Sequence, residues 1–152
     1  LQFSSSQSAE ETETFDISEL LKTTIEKYEK EKITIETINK VYFNGRKSLI
    51  RRCFNNLIDN AIKYSSNVNI KLTKTPNNIT ITIDDDGPGI PENERVNVFK
   101  PFYKIDKSRG NSKSSVGLGL SIASDTVQSH GGSIRLESSP TGGLRVRVFL
   151  PF

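Results

Sequence analysis

Two asparagines and a lysine fall on one stripe of a predicted helix in Phe54–Tyr64, a segment that reads Phe-Asn-Asn-Leu-Ile-Asp-Asn-Ala-Ile-Lys-Tyr. On a helix each residue advances by roughly 100°. Asn56, Asn60, Lys63 and Tyr64 therefore share one face, and Phe54, Leu57, Ile58, Ala61 and Ile62 share the other. An ordinary solvated helix face carries mixed lysines and glutamates; this one carries neutral amides. An amide oxygen is a hard ligand that suits Mg²⁺, an ion that keeps several waters and uses few protein groups. Lys63, one turn beyond Asn60, would reach a phosphate as a point charge.

A carboxylate follows an apolar strand. Ile79, Ile81 and Ile83 alternate with Thr80, Thr82 and Asp84. If the strand runs one step further, Asp85 points to the isoleucine side and Asp84 away from it. A carboxylate aimed at a core needs a partner, and a ligand amine would be one. Gly87-Pro88-Gly89 then turns the chain with little side-chain bulk. An Asp-Gly pair also closes strands with no ligand present, and this loop alone does not decide between the two uses.

The third group is Gly117-Leu118-Gly119-Leu120, at the start of a predicted helix. Free backbone N–H groups and the positive dipole end favour an anion there. The Walker and Rossmann glycine patterns are absent. Upstream, Lys104 and Arg109 would close over phosphates, whereas Lys107 and Lys113 read as solvated.

The elements that must hold these groups follow from periodicity. Asp16 offers an N-cap with Glu19 as its capping-box partner, ahead of Ile17, Leu20, Leu21, Ile25 and Tyr28 at helical spacing. Residues 32–38 alternate as a strand, Asn44-Gly45 signals a turn, and a helix spans 47–64. Strands at 69–73 and 79–84 form a hairpin through Thr75-Pro76-Asn77-Asn78. A short helix over 91–98 starts at Pro91. A loop over 103–115 leads to a helix over 118–129, ended by Gly131-Gly132. Strands at 133–137 and 144–150 flank the turn Ser139–Gly143. The sum is an α+β chain: a two-layer α/β sandwich with one mixed, mostly antiparallel sheet and helices on one face.

Bulk composition agrees with a single domain. The 152 residues are 34% hydrophobic and 26% charged, as in a globular chain, and no apolar run reaches membrane-span length. Leu1 is not a natural start, so the sequence reads as a fragment. The net charge of +3 comes from 21 basic and 18 acidic residues, too sparse a basic face for nucleic acid. Cys53 is the single cysteine, which excludes an internal disulfide and suits a reducing compartment; it reads as a small apolar residue.

In this order, the segments resemble the catalytic domain of two-component sensor histidine kinases, in the GHKL ATPase superfamily. Asn56–Tyr64 looks like the N box, Asp85–Ile90 the G1 box, Phe99–Tyr103 the F box and Gly117–Leu120 the G2 box. Ser129–Ile134 and Leu150-Pro151 also fit, so the match covers roughly residues 15–152. Residues 85–91 and Gly142-Gly143-Leu144 look most like the EnvZ osmosensor branch. The resemblance implies a GHKL ATPase fold, ATP and Mg²⁺ as cofactors, and phosphoryl transfer to a histidine on a separate dimerisation domain. Residues 1–14 would be a linker with a remnant of the preceding dimerisation helix, and 15–152 the ATP-binding catalytic domain.

The resemblance also implies roles. Asn60 would hold the Mg²⁺ and Asn56 support it. Lys63 would contact the terminal phosphate and Tyr64 pack near adenine. Asp85 would accept a hydrogen bond from the adenine amino group, with Gly87, Gly89 and Ile90 shaping that pocket. Phe99 and Phe102 would anchor the lid that carries Lys104 and Arg109. Gly117 and Gly119 would open the backbone to phosphate, and Leu118 and Leu120 line the cavity. Partners would be the histidine-bearing dimerisation domain and, through the parent kinase, a response regulator. The fragment itself would be a monomeric cytoplasmic domain without nucleic-acid or membrane contact, its parent anchored in the inner membrane.

Two departures from the family stand out. Ser114-Ser115-Val116 replaces an extra glycine common before the G2 box. The only histidine, His130, follows the last helix and reads as structural rather than as the phosphoacceptor. Gyrase- and chaperone-like ATPases place a glutamate where Asn56 stands, and an amide cannot act as the base for water. The same segments would also suit an anti-sigma-type serine kinase, or a nucleotide-binding module without transfer.

Overall fold

The computed structural model describes residues 11–38, 40–100 and 119–152. The first element is strand β1 (Glu13–Asp16), which takes Glu13 and Thr14 out of the expected linker. Helix α1 (Ile17–Ile25) follows at once. Asp16 caps it as the sequence predicts, its Oδ1 accepting from the backbone N–H groups of Ser18 and Glu19 at 3.0 and 3.2 Å. Helix α1 ends before Tyr28, whose hydroxyl instead donates to the Asp59 carboxylate.

Strand β2 (Ile33–Thr37) lies where expected, and β3 (Tyr42–Gly45) occupies the place of the expected turn at Asn44-Gly45. β3 pairs antiparallel with β1 as a separate two-stranded sheet, Glu13 opposite Gly45 and Asp16 opposite Tyr42. Phe15 and Phe43 meet edge to face across it, with ring centroids 6.0 Å apart. Helix α2 (Lys47–Lys63) then carries the two asparagines, with Tyr64 at its C-cap.

Strands β4 (Val68–Lys74) and β5 (Asn78–Asp85) form the expected hairpin, each slightly longer than its periodicity suggests. The expected helix over 91–98 is instead two single 3-10 turns, Glu92–Glu94 and Asn97–Phe99. Helix α3 (Gly119–Ser129), β6 (Ser133–Ser138) and β7 (Leu144–Pro151) complete the described chain.

The main sheet has the order β2-β4-β5-β7-β6. Only β2 and β4 run parallel, and α2 lies in the connection between them. The other pairs are antiparallel. The inner face presents Ile70, Leu72, Ile79, Ile81, Ile83, Val146, Val148 and Leu150, all fully or nearly fully buried. Against it pack Leu20 and Leu21 of α1, Phe54, Leu57 and Ile58 of α2, and Ala123 and Val127 of α3 in one continuous core. The opposite face is polar. There Arg145 grips Asp84 through Nε and Nη2 at 2.7 and 2.9 Å. This is the mixed sheet with helices on one face that the sequence predicts.

Candidate functional site

The C-terminal half of α2 is the hub of the site. Phe54, Leu57, Ile58 and Ala61 are buried on its inner side, while Asn56, Asn60, Lys63 and Tyr64 are half-buried on the other. The helical period thus places the four polar residues as predicted. Among the described residues, the buried Asn56 Nδ2 group has no hydrogen-bond partner. An orphaned buried donor is costly in a finished interior, and it marks a place where a ligand or ordered water would be accommodated. The Lys63 ammonium sits 5.8 Å from the centroid of the Tyr64 ring.

Asp85 is the last residue of β5, and its side chain is buried as the strand period requires. Asp84 points to the opposite face and is also buried, beneath Arg145. Asp85 Oδ1 accepts from the backbone N–H groups of Gly87 and Leu144, both at 3.0 Å. Two main-chain donors on one oxygen fix the carboxylate's direction and supply the partners a buried anion needs. The Asp85 carbonyl in turn accepts from the Thr141 hydroxyl at 2.8 Å, and the Thr141 N–H donates to Ser139 Oγ. The turn between β6 and β7 is therefore one wall of the seat.

Glycines make the other contacts possible. A Cβ on Gly143 would lie 2.2 Å from Asp85 Oδ1 and 2.4 Å from its carbonyl oxygen. A Cβ on Gly87 would lie 2.4 Å from the Tyr64 carbonyl oxygen, so the loop after β5 packs its bare backbone on the end of α2. Gly89 takes φ +74°, a left-handed conformation that favours glycine. Ile90 and Phe99 are half-buried and pack on the core.

The start of α3 lies beside α2. The Asn56 carbonyl oxygen is 4.0 Å from where a Cβ on Gly119 would stand, and Leu120 is buried in the core. Among the described residues, packing does not demand a glycine at Gly119, which is consistent with a role in admitting a ligand to the backbone. Phe102, Lys104, Arg109, Gly117 and Leu118 lie outside the described residues.

The structure therefore brings Asn56, Asn60, Lys63 and Tyr64 to one edge, Asp85, Gly87 and Gly89 to its neighbour, and Gly119 close to Asn56. Sequence reasoning missed the contacts of Thr141, Gly143 and Leu144 with Asp85, reading these residues as turn and strand and Gly143-Leu144 as part of a family resemblance, and it missed Asp86, which binds the segment after α2. The signal for the first three was the Gly142-Gly143 pair, one glycine more than a simple hairpin needs.

His130 has a structural setting. Arg46 N–H donates to its Nε2 at 3.0 Å, which leaves the proton on Nδ1, 2.8 Å from the Thr126 carbonyl oxygen. Both ring nitrogens are engaged, and the imidazole joins the end of α3 to the start of α2. No three of His, Cys, Asp and Glu cluster as a metal cage among the described residues. A Mg²⁺ ion held by an amide, waters and substrate phosphates needs no such cage, so the donor set around Asn60 fits it. No helix among the described residues is long and apolar enough to cross a membrane.

Comparison with known proteins gives a consistent result. The family model described as histidine kinase-, DNA gyrase B- and HSP90-like ATPase matches residues 45–152. The sensor histidine kinase CpxA of Escherichia coli is 37% identical over 108 residues, covering 70% of this chain and 24% of its own. The sensor histidine kinase GtrS of Pseudomonas aeruginosa is 38% identical over 109 residues, covering 72% of this chain and 22% of its own. The chain thus spans about a quarter of the curated relatives it matches. Among solved structures, a mycobacterial sensor histidine kinase, MprB, superposes with a TM-score of 0.79 at 28% identity, over 91% of this chain and 96% of that one. The ATP-binding domain of PrrB from Mycobacterium tuberculosis gives 0.77 at 28% identity, over 93% and 98%.

Proposed function

Because the chain belongs to the histidine kinase-, DNA gyrase B- and HSP90-like ATPase family, as an ATP-binding catalytic domain of the sensor-histidine-kinase kind, we propose that it holds Mg-ATP between α2 and the Asp85 loop and passes the terminal phosphoryl group to a histidine on a separate dimerisation domain. The observation that carries this reading is the Asp85 carboxylate. It is buried, it is aimed by two backbone N–H groups, and the Gly87 that follows packs its backbone on Tyr64 at the end of the amide-bearing helix α2.

Asp85 accepts from the adenine amino group, and Tyr64 with Ile90 flanks the base. Gly87 and Gly89 keep the pocket free of side-chain bulk. Asn60 would hold the Mg²⁺ through its amide oxygen, with Asn56 supporting it from one turn earlier. The ion would supply positive charge that offsets the charge developing on transfer. Lys63 adds a positive charge at the terminal phosphate, and Lys104 and Arg109 would supply further positive charge to the phosphates. The first turn of α3, starting at Gly119 with the apolar Leu120 next to it, presents backbone N–H groups to the remaining oxygens. Asn56 cannot take a proton from water, so the chain positions ATP without activating a hydrolytic attack.

The histidine comes from outside. His130 is excluded as acceptor by its two hydrogen-bonded nitrogens. The parent protein would carry the dimerisation domain, deliver the phosphoryl group to a response regulator and be anchored in the inner membrane, with this domain in the cytoplasm. Residues 1–12, ahead of β1, would link the two domains.

The test mixes this chain with a histidine-bearing dimerisation domain and Mg-ATP. The expected product is acid-labile phosphohistidine on the partner, with slow hydrolysis by the chain alone. Rapid hydrolysis without the partner would instead place the chain with the hydrolytic ATPases, and ATP binding without transfer would leave a binding module. Asn60→Ala should lower Mg²⁺-dependent transfer by more than the roughly 10–100-fold typical of an outer-shell metal partner. Unchanged Mg²⁺ dependence in that variant would remove Asn60 from the metal site.

A further inference from the structure

The second aspartate of the Asp85-Asp86 pair has a different task from the first. Its side chain is exposed, and it turns toward the segment that follows α2. Asp86 Oδ1 accepts from the backbone N–H groups of Ser66 and Asn67 at 2.9 and 3.0 Å, and Oδ2 accepts from Asn67 Nδ2 at 3.1 Å. Three bonds from two consecutive residues are a fitted arrangement rather than a solvated carboxylate. The Asn67 backbone N–H, the Asn67 side-chain amide and the Ser66 N–H hold its carboxyl below the usual carboxylate range.

The clamp spans a particular joint. Ser66 and Asn67 lie between the C-cap of α2 at Tyr64 and the start of β4 at Val68. Asp86 follows the last residue of β5 and precedes Gly87, whose backbone packs on the Tyr64 carbonyl. The β4–β5 ladder ends here, with Val68 opposite Asp85. Beyond that ladder, the described residues add two contacts at the seam between the base-reading carboxylate and the amide-bearing helix: the Gly87–Tyr64 backbone approach, which has no directional side-chain component, and the Asp86 side chain.

We propose that Asp86 is a positioning residue for nucleotide binding, locking the loop that carries Asp85 and Gly87 onto the end of α2 and so fixing the span between the base pocket and the Asn60–Lys63 edge. This rests on the proposed seating of Mg-ATP between α2 and the Asp85 loop. A single nucleotide must satisfy both ends at once, so a loose seam costs affinity through orientation rather than through a lost ligand contact. The charge of Asp86 is not what the ligand needs, since an anion near a triphosphate is repulsive. Geometry and charge therefore predict opposite results for an isosteric neutral variant.

Binding of Mg-ADP and Mg-ATP to this chain is measured by calorimetry, at a temperature where every variant is fully folded by circular dichroism. Asp86→Ala should bind both nucleotides about tenfold more weakly than the parent chain. Asp86→Asn keeps an oxygen for the two main-chain donors and should recover most of that loss. Asp86→Glu keeps the charge but overshoots by a methylene, and should stay several-fold weak. Parent-like affinity in Asp86→Ala or Asp86→Glu overturns the proposal, as does an Asp86→Asn variant no better than Asp86→Ala. Should Asp86→Ala fail to fold, the Asn and Glu variants carry the same comparison. A parent chain that binds neither nucleotide would overturn the reading of the whole site, an outcome separate from any difference among variants.

Discussion

At the scale of single residues, the seat of Asp85 is built as much by what glycine lacks as by what other residues supply. Gly143 is buried, and any side chain there would be driven into the Asp85 carboxylate and carbonyl. Gly143→Ala should therefore destabilise the fold by about 1–3 kcal/mol, the usual cost of overpacking, and weaken ATP binding further in the molecules that do fold. Urea denaturation and calorimetry read the two effects separately, and unchanged values in both would show that the turn yields freely. Periodicity made Asn56, Asn60 and Asp85 legible in the sequence, because each belongs to an element whose repeat fixes its face. Thr141 and Leu144 were not legible as partners of Asp85. They lie 56 and 59 residues further along the chain, and only the pairing of β5 with β7 brings them to it.

At the scale of elements, the longer helices and strands followed from pattern, and the short ones did not. β1 and β3 have four residues each, too few for alternation to stand out, and β3 ends in an Asn-Gly pair that ordinarily signals a turn. The stretch over 91–98 is close to the shortest length at which a helix holds, and Arg95 ties it elsewhere, donating to the Ile90 carbonyl and to Ser138 Oγ at 3.0 Å each. The junction of α3 with α2 is held by His130, which supplies an acceptor to Arg46 N–H at the N-cap of α2, where no side-chain cap bond forms. His130→Ala leaves that N–H without its acceptor and should cost about 1–3 kcal/mol. Thermal or urea denaturation measures it. Phosphotransfer per folded molecule should be preserved, since the imidazole touches no reacting group.

At the scale of the whole molecule, the two layers share one core, and two carboxyls with lowered pKa values shape its response to acid. Asp86 is held below the usual carboxylate range by Asn67 and Ser66. For Asp16, burial pushes the carboxyl up, but the Ser18 hydroxyl and the Glu19 and Ser18 N–H groups outweigh it and bring it down. A carboxyl that binds its proton less readily in the folded state contributes stability above its unfolded pKa. That contribution is lost as pH falls through the lower folded value. Melting temperature should therefore be flat near neutrality and fall below about pH 4, and Asp86→Asn should fall less steeply over that window. Cys53 is out of this range, since burial pushes its thiol up to about 12, and it stays protonated throughout.

The Asp85 seat has a consequence for selection under inhibitors. Its two donors, at Gly87 and Leu144, belong to the main chain and are present whatever the side chain. An inhibitor that reads the carboxylate and the adjoining backbone leaves few resistance routes through altered side chains. Substitutions at Gly87 and Gly143 would strike the packing of Tyr64 and Asp85 themselves. Escape would then carry a loss of fitness built into the same few atoms that recognise the drug.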